Sequence, residues 1–86
     1  MKSIRLSKHA QGYASRRGFT LEEVIDAIRK STWKPVKLGV NCFECSAEYP
    51  FKGDWNGKYY ETKRVRPVFE ERDLEIRVIT VYTYYY

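Results

Sequence analysis

The sequence predicts an α+β domain in which two N-terminal helices pack on a three- to four-stranded antiparallel sheet. Apolar residues recur with helical spacing up to about residue 30, and from Trp33 onward they alternate with a period of two. Helices followed by strands favour segregated layers over a βαβ arrangement. The 86 residues suffice for one small domain, which we take to span residues 1–86.

Capping signals define the two predicted helices. Ser7 can cap a first helix over about residues 8–17, and Gly18 suits a left-handed exit from it. Thr20 and Glu23 form a capping box that begins a second helix. The apolar stripe of this second helix consists of Leu21, Val24, Ile25 and Ile28.

Alternating apolar residues and turn signals define the sheet. The predicted strands cover residues 36–40, 42–49, 58–69 and 74–84. Residues 50–57 are predicted to be a loop that ends in the turn dipeptide Asn56-Gly57. In the last strand Ile76 and Val78 lie on one face and Ile79 and Val81 on the other, which predicts a strand with neighbours on both sides.

Composition narrows the class of function. The chain carries 16 basic and 11 acidic residues, for a net charge of +5, and the excess of positive charge lies in residues 1–43. Such asymmetry is typical of proteins that bind polyanions. No apolar run is long enough to span a bilayer, and no apolar segment of a secretory signal follows Met1. We therefore expect a cytoplasmic protein without membrane contact, metal or cofactor.

Cys42 and Cys45 form a CxxC motif. A structural zinc site needs four ligands, and His9 is the only other soft ligand in the chain. Residues three apart in a strand point to opposite faces, so the two thiols would not converge on one ion. We interpret both cysteines as residues that pack within a strand.

His9 and several cations are candidates for chemistry on a phosphate. Imidazole is the side chain that titrates near neutral pH, which suits general acid–base catalysis, although a single histidine in a small domain is as readily a structural one. Arg64 and Arg66 lie two apart in a predicted strand and can hold a phosphate together, and Arg77 can add to them. Neighbouring cations with a predicted role in RNA binding are Lys8, Arg16 and Lys63.

The C-terminal tail, residues 80–86, contains alternating tyrosines. Tyr82, Tyr84 and Tyr86 can be packing residues with hydrated hydroxyls, or they can stack on RNA bases or contact a protein partner. The sequence leaves these alternatives open.

Both ends of the chain resemble a family of small proteins grouped with the RelE- and BrnT-like toxins, within the barnase–EndoU–colicin–RelE nuclease fold. The opening resemblance is S-K-H-A followed by R-G-F-T, and the closing one is K-R-V-R-P-V-F-E-E followed by I-R-V-I-T-V-Y. The family's first-helix histidine matches His9, and its arginine before glycine matches Arg17. Its polar-x-aromatic pattern in the closing strand matches Thr80 and Tyr82, whereas Tyr13 stands where the family often has an arginine.

This resemblance implies a metal-independent endoribonuclease, the toxin of a toxin–antitoxin pair. His9 or Tyr82 would take the proton of a 2′-hydroxyl, and Arg17, Arg64 and Arg66 would stabilise the phosphorane. The expected partners are RNA and a small acidic antitoxin. Whether the protein also forms a homodimer is left open. The alternative is a non-catalytic RNA- or protein-binding module, or a degenerate toxin that keeps only its antitoxin interface.

Overall fold

A mixed six-stranded sheet forms most of the fold. The computed structural model describes residues 2–86. The helices are α1 (Lys8–Gly12), α2 (Ala14–Arg17) and α3 (Leu21–Lys30). The strands are β1 (Ser3–Leu6), β2 (Lys34–Pro35), β3 (Cys42–Glu44), β4 (Ala47–Trp55), β5 (Lys58–Glu71) and β6 (Glu75–Tyr85). Within residues 2–86 no helix combines the length and the apolar character needed to cross a lipid bilayer.

The long strand β5 lies at the centre of the sheet. One of its edges pairs with β6, and the other pairs first with β4 and then with β3. β1 joins the far side of β6 in parallel, while the other pairings are antiparallel. Because β1 ends at Leu6, opposite Val78, the outer edge of β6 has no strand partner beyond that point.

The helices cover one face of the sheet. Val24, Ala27 and Ile28 of α3 pack against Val65 and Phe69 of β5, and all five are buried in one core cluster. We call this side the covered face. Side chains alternate along a strand, so the residues on either side of Val65, Arg64 and Arg66, point away from the helices. We call that side the open face.

A β-bulge in β6 decides which residues of its C-terminal half reach the open face. Thr80 pairs with Val68 and Val78 with Phe69, so Ile79 is an extra residue without a partner on β5. The bulge shifts the alternation by one position. Val81 is therefore buried on the same covered face as Val78, and not opposite it as the sequence predicts. The tyrosines at even-numbered positions after the bulge lie on the open face.

The predicted fold class is wrong. Strands hold 51% of the residues and helices 22%, so the sheet dominates, and it is a mixed sheet of six strands with three short helices. The sequence analysis missed β1 because four residues are too few to show a period. The first predicted helix is divided at Tyr13, which is both the C-cap of α1 and the N-cap of α2.

The middle of the sheet also differs from the prediction. The predicted strand at residues 36–40 is a turn closed by a hydrogen bond from Val36 N to the Cys42 carbonyl. The predicted strand at 42–49 is divided, since β3 ends at Glu44 and β4 begins at Ala47. The predicted loop at 50–57 is mostly strand, because β4 continues to Trp55 through a bulge after Pro50.

Local signals were read correctly at the helix ends and at one hairpin. Ser7 caps α1, Gly18 is left-handed with φ of 76°, and both hydrogen bonds of the Thr20–Glu23 capping box are present. Asn56 and Gly57 both have positive φ and connect β4 to β5. The last two strands agree with the prediction to within two residues at each end.

Candidate functional site

The ring of Tyr82 lies between two guanidinium groups on the open face. The Cζ atom of Arg66 is 4.8 Å from the ring centroid and that of Arg17 is 5.0 Å from it. Arg66 is the direct cross-strand partner of Tyr82, so the sheet register fixes one of these contacts. The Tyr82 side chain remains 38% exposed, so a ligand can reach it.

Arg17 reaches this site from the helices by crossing the free edge of β6. Its Nη1 donates to the Val81 carbonyl at 2.7 Å and to Thr80 Oγ1 at 3.3 Å. Its backbone carbonyl accepts hydrogen bonds from the hydroxyls of Thr83 and Tyr85. The residue is thus held at both ends, and its guanidinium forms no ion pair with a carboxylate among residues 2–86.

Arg66 is partly neutralised and borders a hollow. Its Nη1 lies 3.5 Å from Glu44 Oε1, and its Nε is buried without a hydrogen-bond partner. Next to Arg66, where β3 and β4 separate, lies this hollow, a pocket of about 390 Å³. Its lining includes Lys34, Glu44, Arg64 and Arg66. A phosphate or a base placed there would be within reach of these cations.

Arg64 lies on the same face, in a more fully compensated environment. It donates to Glu48 at 2.9 Å, and the hydroxyl of Tyr86 bonds the same carboxylate. These two bonds, first that from Tyr86 and then that from Arg64, lower the pKa of Glu48. The same carboxylate is the main cause that raises the pKa of Arg64. Arg64 therefore offers less free positive charge to a ligand than Arg17 does.

His9 lies apart from this cluster. Its ring contacts the edge of Tyr13 at a centroid distance of 4.8 Å, and the guanidinium of Arg17 stacks on the same tyrosine at 4.0 Å. His9, Lys8 and Arg77 line a separate groove of about 550 Å³ together with Arg5. The structure thus connects the imidazole to the cluster only through Tyr13.

The remaining predicted cations occupy different surroundings. Arg16 is exposed, with its Cζ 5.8 Å from the Tyr13 ring. Lys63 is on the covered face, where Nζ lies 2.7 Å from Glu23 Oε2 and donates to the Gly18 carbonyl at 2.9 Å. Lys63 is consequently a structural residue that is not available to RNA on the open face.

The two cysteines are buried and unpaired. The Cys45 thiol lies 3.4 Å from the Ala27 carbonyl, to which it donates. Burial, and secondarily the charge of Glu44, raises the pKa of Cys45 from 9.0 to about 11. No group of three or more histidine, cysteine or acidic side chains within residues 2–86 is arranged to hold a metal ion.

We expect Cys45 to resist alkylation in the folded protein. The thiolate is the reactive form, so a pKa of about 11 in place of 9.0 reduces its population near neutral pH about 100-fold. Iodoacetamide labelling of the Cys42→Ser variant, followed by mass spectrometry with and without guanidinium chloride, measures the difference. Equal labelling rates in both conditions would show that the thiol is accessible and ionised.

Three residues around the cluster were given no role by the sequence analysis. These are Tyr13, Glu44 and Glu48. Nothing in the sequence indicates that Glu44 and Glu48 lie opposite the arginines, because that depends on how β3 and β4 pair with β5.

Comparison of the chain with protein-family models, with curated proteins and with solved structures finds no match.

Proposed function

We propose that the open face binds RNA and that Arg17, Tyr82 and Arg66 promote its cleavage without a metal ion. The observation that carries this proposal is an exposed phenol placed between two guanidinium groups. Guanidinium groups bind phosphate oxygens through paired N–H donors and remain charged at any physiological pH. Within residues 2–86 Arg17 donates through Nη1 alone, so most of its guanidinium donors are free of partners in this part of the chain.

The proposed reaction is an attack of the ribose 2′-oxygen on the adjacent phosphorus. The Tyr82 hydroxyl accepts the 2′-hydroxyl proton while it passes its own proton to the 5′-oxygen, as the bond from phosphorus to that oxygen breaks. Arg17 and Arg66 stabilise the negative charge that develops on the phosphorane oxygens. The products are a 2′,3′-cyclic phosphate and a 5′-hydroxyl. This assignment gives the proton transfer to Tyr82 because His9 has no contact with Arg66, Thr80 or Tyr82 among the described contacts.

The same position of His9 favours a second candidate, a module that binds RNA and does not cut it. The one imidazole of the chain would then be outside the site, and the arginines would serve affinity alone. In either case the proposal places the protein in the cytoplasm. A small acidic protein is proposed as its antitoxin, since Lys8, Arg16, Arg17 and Arg77 have no acidic partner among residues 2–86.

Cleavage of a mixed RNA by three variants tests the catalytic proposal. We expect Tyr82→Phe to lose about 10²- to 10⁴-fold in rate, because it removes a proton-transfer group and little else. We expect Arg66→Gln and Arg17→Gln each to lose about 10²- to 10³-fold, because each removes one stabiliser of transition-state charge. His9→Ala is the matched control and should keep most of its activity, and EDTA should have no effect.

Two controls make the result decisive. Thermal unfolding shows that each variant is folded, and end-group analysis should find 2′,3′-cyclic phosphates. Wild-type cleavage rates in Tyr82→Phe and Arg66→Gln would contradict the mechanism. Loss of cleavage by the wild-type protein when EDTA is added would also contradict it. RNA binding that falls with salt in a wild-type protein that never cuts would establish the binding module instead.

A further inference from the structure

The open face carries a ladder of alternating aromatic and guanidinium groups. Tyr82 is opposite Arg66 and Tyr84 is opposite Arg64 in the register of β5 and β6. The Cζ atom of Arg66 also lies 5.7 Å from the Tyr84 ring, and that of Arg64 lies 5.7 Å from the Tyr86 ring. Each tyrosine of the ladder therefore has a cation within reach of its ring.

The three tyrosines are accessible together. Tyr82, Tyr84 and Tyr86 are 38%, 42% and 51% exposed. Exposed aromatic rings on a folded domain are usually scattered singly, whereas these rings recur at every second position from β6 to Tyr86, whose backbone pairs with that of Thr62. Every second residue of a strand is about 6.6 Å apart, which is close to the distance between successive nucleotides in an extended single strand. A base can therefore meet each ring in turn.

We infer that Tyr82, Tyr84 and Tyr86 form a stacking platform for unpaired bases, so that the RNA bound by this face is single-stranded. This inference rests on the proposed function for the kind of polymer and adds the form of RNA that is recognised. The bases of a duplex are stacked on one another and cannot reach the rings. The arginines between the rings contact the phosphates that connect the bases.

The charges of the ladder fit a nucleic acid with splayed bases better than a densely charged duplex. Arg64 and Arg66 are partly neutralised by Glu48 and Glu44, so the face offers fewer free cations than its arginine count suggests. Affinity for a duplex comes mainly from contacts with its phosphates. On this face aromatic stacking supplies the part of the binding affinity that the partly neutralised arginines do not.

Binding of a 2′-O-methyl RNA tests the platform independently of cleavage, because the blocked 2′-oxygen cannot attack. The probe is a single strand of about eight nucleotides, within the length that such surfaces cover, and the competitor is the same strand annealed to its complement. The wild-type protein should prefer the single strand. Tyr84→Ile and Tyr86→Ile should each weaken single-strand binding about tenfold, since each removes one stacking ring.

Two further variants separate stacking from other effects. Tyr84→Trp keeps a flat ring and should bind at least as tightly as the wild type. Because isoleucine is also apolar but has no flat face, the contrast between Tyr84→Trp and Tyr84→Ile isolates stacking. Tyr59→Ile removes an exposed tyrosine of β5 that is not part of the ladder, and it should leave affinity unchanged. Isoleucine suits a strand, so the sheet is retained.

The outcomes distinguish the two proposals. Single-strand binding that depends on Tyr84 and Tyr86 in a protein that never cuts RNA would support the platform and overturn the cleavage mechanism. Cleavage by Tyr82 with equal affinity for single and double strands, or with no effect of Tyr84→Ile and Tyr86→Ile, would overturn the platform. A loss that Tyr59→Ile shares would also overturn it, because the effect would not be specific to the ladder.

Discussion

Replacement of Lys63 by methionine is expected to lower the free energy of unfolding by about 3 kcal/mol, the lower end of what breaking a buried ion pair costs. The Lys63 side chain is only 9% exposed and bonds both Glu23 and the Gly18 carbonyl. Methionine fills the space but leaves the Gly18 carbonyl without its donor and the Glu23 carboxylate, among residues 2–86, with only the backbone N–H of Thr20. Because Glu23 is still 21% exposed, water can reach it, so the loss stays below the upper range. Chemical denaturation of both proteins measures the difference.

The next residue of the same strand provides the control. Arg64 also forms an ion pair, with Glu48 at 2.9 Å, but about half of both side chains is exposed. Exposed pairs of this kind contribute about 1 kcal/mol or less. Arg64→Met should therefore change the unfolding free energy by much less than Lys63→Met. Equal losses in the two variants would mean that the Lys63 pair is not buried as the structure has it.

Substitution of Gly18 by alanine is expected to destabilise the fold by about 3 kcal/mol, the sum of backbone strain and overpacking. Gly18 has φ of 76°, which a residue with a Cβ adopts at a cost. The added Cβ would also lie 2.7 Å from the Trp55 ring and against the Tyr85 hydroxyl. Since Tyr85 and Trp55 stack on each other, neither can move away freely. The unfolding midpoint in denaturant should fall clearly.

Gly12→Ala is the matched control, because nothing lies within 4 Å of the added Cβ. Gly12 is helical, so alanine should stabilise the protein by up to about 1 kcal/mol through its higher helix propensity. Opposite signs for the two substitutions are the expected result. A neutral Gly18→Ala would show that the α2 exit does not need a left-handed residue.

The Lys63 contacts and the left-handed conformation of Gly18 both hold the segment from which Arg17 reaches the open face. Gly18 ends α2, and its carbonyl is fixed by Lys63 on β5. The preceding carbonyl, that of Arg17, is fixed by Thr83 and Tyr85 on β6. A loss of either support would displace the guanidinium from Tyr82, so these variants should also impair any activity that depends on Arg17.

Several members of the candidate site could be proposed from the sequence because local spacing is enough to place them. Arg64 and Arg66, two apart in a strand, necessarily share a face. His9 and Arg17 were both proposed from the family resemblance, and both contact Tyr13, yet the His9 ring lies in a different groove.

Features that depend on neighbours in the chain could be predicted from residue order. Caps, the left-handed glycine, the Asn56-Gly57 hairpin and the two long strands follow from local sterics and hydrogen bonding, which few residues are enough to specify. The mixed sheet, the burial of Lys63 and the face to which Tyr82 points depend on how distant segments pair, and no local pattern specifies that. Strand pairing is a long-range choice, and the single unpaired residue Ile79 reverses every side chain that follows it. That reversal places Tyr82 on the same face as Arg66, and the early end of β1 leaves free the edge of β6 that Arg17 crosses.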